Sequence, residues 1–295
     1  MAYVRIYLSG GPTDPQGRWA QVADKTLLSY HYIRRKKPPL VSPKAQALAD
    51  AGFQLFLDSG AYSAFNSGAS IDLEEFTSYV RETQTMWSCI ASLDVIGDAA
   101  ASWRNFELMR DAGCDVIPVY HYGEPVEFLE RMVAECEYIG IGGVAQVGVG
   151  EPLFDWLDHC FRRYICDDEG RPKVKTHGFA VTSPQAIRLY PWHSVDSTSW
   201  AVGKWGKVPF RKNGRLLQIQ VSRGGLPDYQ SMHYNHMPAA FQQEFIEFVG
   251  KYGTSIEELA EDVEARYYVG ACVYKEMEQE GTDVFRGAAP AGLLY

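Results

Sequence analysis

Short apolar runs bounded by turn residues recur along the chain, and most are followed by a segment in which apolar residues return at helical spacing. The runs are Val4 to Leu8, Phe53 to Leu57, Cys89 to Val95, Val116 to Tyr120, Tyr138 to Ile141, Val174 to Ala180, Ser194 to Asp196 and Leu216 to Val221. Helices are predicted between them at Leu73 to Thr83, Ser102 to Ala112, Val126 to Glu135, Leu153 to Ile165 and Pro184 to Leu189. Strands joined through helices pair in parallel, because a tight hairpin can connect only antiparallel neighbours. Eight such units with right-handed crossovers close into an α/β fold, the (β/α)8 TIM barrel, whose chemistry sits at the carboxyl ends of the strands. An open doubly wound sheet is the competing arrangement. It requires a glycine-rich phosphate turn after the first strand, which Ser9-Gly10-Gly11-Pro12 does not supply.

Two further helical segments, Ala239 to Gly250 and Ser255 to Gln279, follow the eighth run. The expected organisation is a barrel domain over residues 1–225 and a C-terminal helical extension over 226–295, packed on the barrel's outside.

With 295 residues, 46% of them hydrophobic, the chain can bury a sizeable core. The apolar run near Met1 has no basic leader and no small-residue cleavage site, so no signal peptide is expected. No stretch approaches the roughly 18 uninterrupted apolar residues of a membrane span. Six cysteines, Cys89, Cys114, Cys136, Cys160, Cys166 and Cys272, are scattered singly, which suits free thiols in a reducing, cytoplasmic setting. A net charge of -9 argues against a broadly basic surface for nucleic acid. Two local runs remain: Arg34 to Lys37, and Lys204, Lys207, Arg211, Lys212 and Arg215 interleaved with Trp200, Trp205 and Phe210. Either can be a solvated or packed loop, but the second directly follows a candidate catalytic strand.

The polar residues at the ends of the runs carry most of the functional information. The second run ends in Asp58-Ser59-Gly60-Ala61-Tyr62, the third in Leu93-Asp94 and the fourth in Tyr120-His121-Tyr122-Gly123. The fifth ends in Gly142-Gly143-Val144-Ala145, the sixth in His177-Gly178 and the seventh in Asp196-Ser197-Thr198-Ser199-Trp200. Each aspartate taken singly could cap the helix that follows it. Three together on one rim of apolar strands point to chemistry, because buried carboxylates are costly unless paired or put to work. Two carboxylates flanking a glycosidic carbon, one a nucleophile and one an acid/base, are what retaining glycosyl transfer requires.

Asp58-Ser59-Gly60-Ala61-Tyr62 resembles the DSGG-aromatic motif of the tRNA-guanine (queuine) transglycosylases, and Gly142 to Ala145 resembles their GGLA-type strand end. The segment His177 to Trp200 is similar to the stretch that ends in their nucleophilic aspartate, and its wording looks closest to the DpdA-like enzymes of phages and bacteria that insert 7-deazaguanines into DNA. The resemblance covers roughly Phe53 to Gly206.

The resemblance implies that Asp196 attacks C1′ and Asp58 protonates the leaving base. It implies that Asp94 and His121 bind the guanine-like edge, that Ser59 belongs to the same pocket, and that Gly142 and Gly143 let backbone amides approach the base. Tyr62 would stack on one face of the base, and His177 stands where the family commonly places a methionine on the other. Trp200, Lys204, Trp205, Lys207, Arg211 and Lys212 are the candidate nucleic-acid contacts.

The family's zinc cluster is missing, since only Cys272, with His233 and His236, follows Asp196, so no metal and no cofactor are expected. That departure favours DNA over tRNA as the polymer partner, with a free 7-deazaguanine such as preQ0 as the second substrate. The chemistry requires the target nucleotide to be flipped out of a duplex or already single-stranded. A metal-dependent barrel hydrolase is disfavoured because no HxH strand or His/Asp triad is present. A tRNA-acting enzyme and a nucleoside hydrolase remain open alternatives, while a non-catalytic nucleic-acid-binding subunit is disfavoured because Asp58, Asp94 and Asp196 are all present.

Overall fold

The computed structural model describes residues 3–35, 40–143, 150–222, 232–283 and 285. Eight parallel strands form one sheet: β1 (Arg5–Ser9), β2 (Lys25–Ser29), β3 (Gln54–Asp58), β4 (Cys89–Ile90), β5 (Val119–His121), β6 (Tyr138–Gly142), β7 (Lys175–Gly178) and β8 (Ser194–Ser197). Their spatial order is β4-β3-β2-β1-β8-β7-β6-β5. The two end strands meet through a parallel bridge between Ala91 and Ile117. The Ile117 amide donates to the Ile90 carbonyl at 2.8 Å and the Ser92 amide donates to the Ile117 carbonyl at 2.9 Å, which closes the barrel.

The barrel encloses a small aromatic core of Tyr7, Leu27, Phe56, Ala91, Ile117 and Val119. A much larger apolar layer separates the strands from the surrounding helices. This division between a side-chain-filled interior and an outer helix–sheet layer is what an eight-stranded barrel imposes.

The predicted helices at Leu73–Thr83, Val126–Glu135, Pro184–Leu189 and Ala239–Gly250 form with those bounds. Their start signals act locally: Asp72 caps the first by accepting from the Glu75 amide, and Ser183 caps the third by accepting from the Ala186 amide. The predicted segment Ser255 to Gln279 is two helices, Ile256–Glu261 and Val263–Glu280. Asp262 separates them, in extended conformation and with its side chain capping the second.

One of the eight sequence-predicted runs is misplaced and one barrel strand is missed, so the errors cancel in the count. Lys25–Ser29 is a barrel strand that the apolar pattern does not show, because it opens on a lysine. Lys25 is only 3% exposed. Its ammonium lies 2.8 Å from Asp24 and 3.0 Å from Glu278 on the last helix, so burial of the charge depends on a partner some 250 residues away. Leu216 to Val221, expected as the eighth barrel strand, belongs instead to a two-stranded antiparallel hairpin of β9 (Lys207–Lys212) and β10 (Arg215–Gln220). Asn213 and Gly214 turn it with φ of 51° and 72°. Asn-Gly with both residues left-handed is the favoured two-residue hairpin turn, so this signal was present in the sequence.

The helix Val263–Glu280 packs on β1, on the hairpin and on the turn after β8. Arg266 donates to the Gly203 carbonyl at 2.8 Å. At Gly270 a Cβ would come within 2.2 Å of the Trp200 carbonyl oxygen, so the helix approaches the chain just beyond Asp196 as closely as backbone allows.

Candidate active site

All the polar strand ends converge on one mouth of the barrel. Asp196 lies on β8, paired in register with Tyr7 of β1, and is 6% exposed. Two donors fix its carboxylate: the Ser9 hydroxyl on Oδ2 at 2.8 Å and the Ala180 amide on Oδ1 at 2.8 Å. Ala180 holds φ of 55°, a left-handed conformation that strains a residue with a Cβ and that presents this amide to the carboxylate. Beside Oδ1, at 3.5 Å, stands Nε2 of the fully buried His177.

Asp58 ends β3, and its Oδ2 accepts the Gly60 amide at 3.0 Å. Burial together with the neighbouring charges of Asp94 and Asp196 pushes its carboxyl up to about 7. Gly60 has φ of 79°, and a Cβ there would lie 2.4 Å from the Ser29 hydroxyl, so only glycine lets β2 and β3 approach at this point.

Asp94 is held from two sides. The Ser59 hydroxyl donates to Oδ1 at 2.7 Å, and His121 Nε2 lies 3.1 Å from Oδ2. Glu124 closes the group: its Oε2 accepts the His121 amide at 2.8 Å and its Oε1 lies 3.3 Å from His121 Nδ1. Burial would lower the pKa of His121, but the hydrogen bonds and charges of Asp94 and Glu124 outweigh it and hold the imidazole up at about 10. His121 is therefore a cation whose two ring nitrogens are both engaged. Gly142 makes room for it, since a Cβ there would lie 2.7 Å from His121 Cδ2.

The structure gathers Asp58, Ser59, Asp94, His121, Gly142, Gly143 and Asp196 on the strand-end rim, and none of the three aspartates caps a following helix through its side chain. Tyr62 lies just beyond Asp58 and is 47% exposed. Val144 and Ala145, like Lys36 and Lys37, lie outside the described residues.

Three expectations need correction. His177 cannot stack on a bound base: it is sealed inside the barrel between Phe56 and Phe179, with ring centroids at 4.3 and 4.5 Å. Its Nδ1 lies 2.6 Å from the Ser194 hydroxyl, which lies 2.6 Å from the Tyr138 hydroxyl. Trp200 is not a surface contact either. It is 1% exposed, its indole N–H donates to the Ser9 carbonyl at 2.8 Å, and its ring fills the space beside Gly11. Arg211 and Lys212 are engaged within the protein, by Glu280 at 2.6 Å and by Glu244 respectively, because they sit on a strand that packs against the C-terminal helices. Lys207 is half-buried at the start of the same strand. Lys204 and Trp205 remain outward: Trp205 is 61% exposed and Lys204 Nζ lies 4.3 Å from its ring centroid.

Sequence reasoning missed Ser9, Glu124, Ala180 and Ser194, and with β2 it missed Ser29 and His31. Ser29 Oγ and His31 Nδ1 are buried beside Gly60 without a hydrogen-bond partner. Glu124, three residues after His121, was the one with a local signal. Among the described residues no group of three or more His, Cys, Asp or Glu side chains is arranged to hold a metal ion, and no helix is long and apolar enough to cross a membrane.

No family model and no curated protein matches the sequence. Among solved structures, the chain is similar to substituted forms of the tryptophan synthase alpha-subunit from a hyperthermophile, Pyrococcus furiosus. One shows a TM-score of 0.43 at 12% identity over 69% of this chain and 91% of that one. Another reaches a TM-score of 0.44 at 12% identity over the same shares.

Proposed function

We propose that this protein is a pentosyltransferase that exchanges guanine in a nucleic acid, DNA in preference to tRNA, for a free 7-deazaguanine base. The observation that carries the reading is the pair of strand-end carboxylates in unlike surroundings. Asp58 is pushed up to about 7, so it can carry a proton near neutrality, while the Asp196 carboxylate is aimed by the Ser9 hydroxyl and the Ala180 amide. Two carboxyl groups pushed toward different roles by their environments are what a double displacement at a sugar carbon uses.

In the first half-reaction an Asp196 oxygen bonds to C1′, the C1′–N9 bond breaks, and the electron pair leaves with guanine as N9 takes the Asp58 proton. In the second, the incoming 7-deazaguanine gives its N9 proton to Asp58, and N9 displaces the Asp196 oxygen from C1′. Inversion at each step retains the configuration. Asp94 is the acceptor for N–H donors on the base edge. His121, already committed to Asp94 and Glu124, positions Asp94 rather than reading the base. Tyr62 stacks on the base, and the exposed pair Lys204 and Trp205 contacts the polymer outside the pocket.

The test supplies DNA and tRNA separately with a 7-deazaguanine base and reads the released guanine and the modified nucleoside by mass spectrometry. Exchange into DNA that disappears in a folded Asp196→Ala protein is expected. Full exchange by that variant would remove the nucleophile assignment, and exchange into tRNA alone would reverse the polymer assignment.

A further inference from the structure

The opposite mouth of the barrel, formed by the starts of the strands, is not a sealed floor. A cavity of about 300 Å³ opens there. Arg5 begins β1, Gln54 begins β3, Tyr138 begins β6, Lys175 begins β7 and His193 directly precedes β8, and all five line the cavity with Tyr7. Among the described residues lining it, none is acidic. In a chain of net charge -9, a cavity lined only by cationic and neutral groups is a local exception.

We propose that this cavity is a second binding site, which holds a small phosphate-bearing anion between Arg5, Lys175 and His193. The Arg5 guanidinium donates to His193 Nε2 at 2.5 Å, so its polar contact is a neutral ring that does not compensate its charge. Burial, with the fields of Arg5 and Lys175 acting in the same sense, lowers the His193 imidazole to about 4. Among the described residues neither Arg5 nor Lys175 is paired with a carboxylate, so the lining carries a net positive charge.

A guanidinium fork beside an ammonium matches a phosphate's oxygens in charge and geometry, and the Gln54 amide adds a neutral donor. The tyrosine hydroxyls act elsewhere. Tyr7 is bonded to Ser88 at 3.1 Å and Tyr138 to Ser194 at 2.6 Å, so they wall the cavity without serving as free donors. The volume lies at the lower end of small-molecule sites, enough for free phosphate or a compact phosphate monoester.

Calorimetric titration of the full chain at low ionic strength, with inorganic phosphate in one arm and a nucleoside monophosphate in the other, tests the site. Saturable binding in at least one arm is expected, and the arm that binds more tightly tells free phosphate from a monoester. Lys175→Gln, an exposed substitution that leaves the core untouched, should weaken it about tenfold, and Arg5→Gln by at least as much. Absence of binding in both arms up to about 10 mM ligand overturns the proposal. So does binding that survives Lys175→Gln unchanged, and so does binding that is lost in Asp196→Ala, because that would place the anion at the other mouth.

Discussion

His177 Nε2 stands 3.5 Å from the Asp196 carboxylate, inside the barrel and out of reach of solvent. A carboxylate on that side favours the tautomer with its proton on Nε2, which leaves Nδ1 to accept from the Ser194 hydroxyl, which in turn accepts from Tyr138. A polar file therefore crosses the apolar interior and ends beneath Asp196. Burial pushes the pKa of His177 below the ordinary histidine value, against the opposing pull of Asp196, which favours a neutral ring packed beside the carboxylate that Ser9 and Ala180 hold.

Replacement of His177 by Leu should therefore do two separable things. It takes from the Ser194 hydroxyl its acceptor, leaving only the contact with Tyr138, and folding stability should drop by about 1–3 kcal/mol in urea denaturation. It also loosens Asp196, so kcat for base exchange should fall by about tenfold or more with KM little changed. Unchanged kcat in a destabilised variant would make His177 purely structural.

Asp58 sets a pH limit. With its carboxyl raised to about 7, the proton needed by the leaving base is present below that pH and lost above it, so exchange should fall on an alkaline limb with a midpoint near 7. Asp94→Asn removes one of the charges that raise Asp58, and should move this limb toward acid. A limb that stays in place would exclude Asp58 as its source.

The same shift has a stability consequence of opposite sense to a salt bridge. The folded chain retains on Asp58 a proton that the unfolded chain releases above pH ~4, so ionisation destabilises the fold as pH rises from about 4 through 7. Asp58→Asn should be more stable than the parent at pH 8, by at most about 4 kcal/mol, with the advantage vanishing at pH 4. Denaturation curves at the two pH values measure it.

Gly142→Ala should displace His121 from Asp94, because the new methyl would lie 2.7 Å from the ring. The cost in stability should be about 1–3 kcal/mol. The imidazole, released from its carboxylates, should titrate well below 10, which histidine NMR can follow.

The basic stretch from Lys204 to Lys212 divides into a turn and a hairpin strand with different expected behaviour. Neutralising Lys204 should weaken DNA binding and flatten its salt dependence by about one unit of log–log slope. Neutralising Arg211 and Lys212 breaks contacts to Glu280 and Glu244, so it should alter stability and leave the salt slope largely intact. The reverse pattern, read from DNA titrations at several salt concentrations, would place the polymer against the hairpin.

The parallel barrel, four helices to the residue and the strand-end aspartates could all be read from the sequence, because each rests on spacing within a few neighbouring residues. Apolar period, capping residues and a polar residue closing an apolar run are local quantities. β2 was hidden because Lys25 is buried only by virtue of Glu278, and Leu216 to Val221 was misplaced because an apolar run does not say which sheet it joins. His177, Trp200 and Ala180 owe their roles to partners that only the closed barrel supplies: the aromatic interior, the space beside Gly11, and the Asp196 carboxylate waiting for an amide. Residue types and their order were thus set by the chain alone. Which atoms meet across the barrel, and hence which carboxyl keeps a proton and which is aimed, was decided by the tertiary structure, since burial and electrostatic coupling exist only between groups that folding brings together.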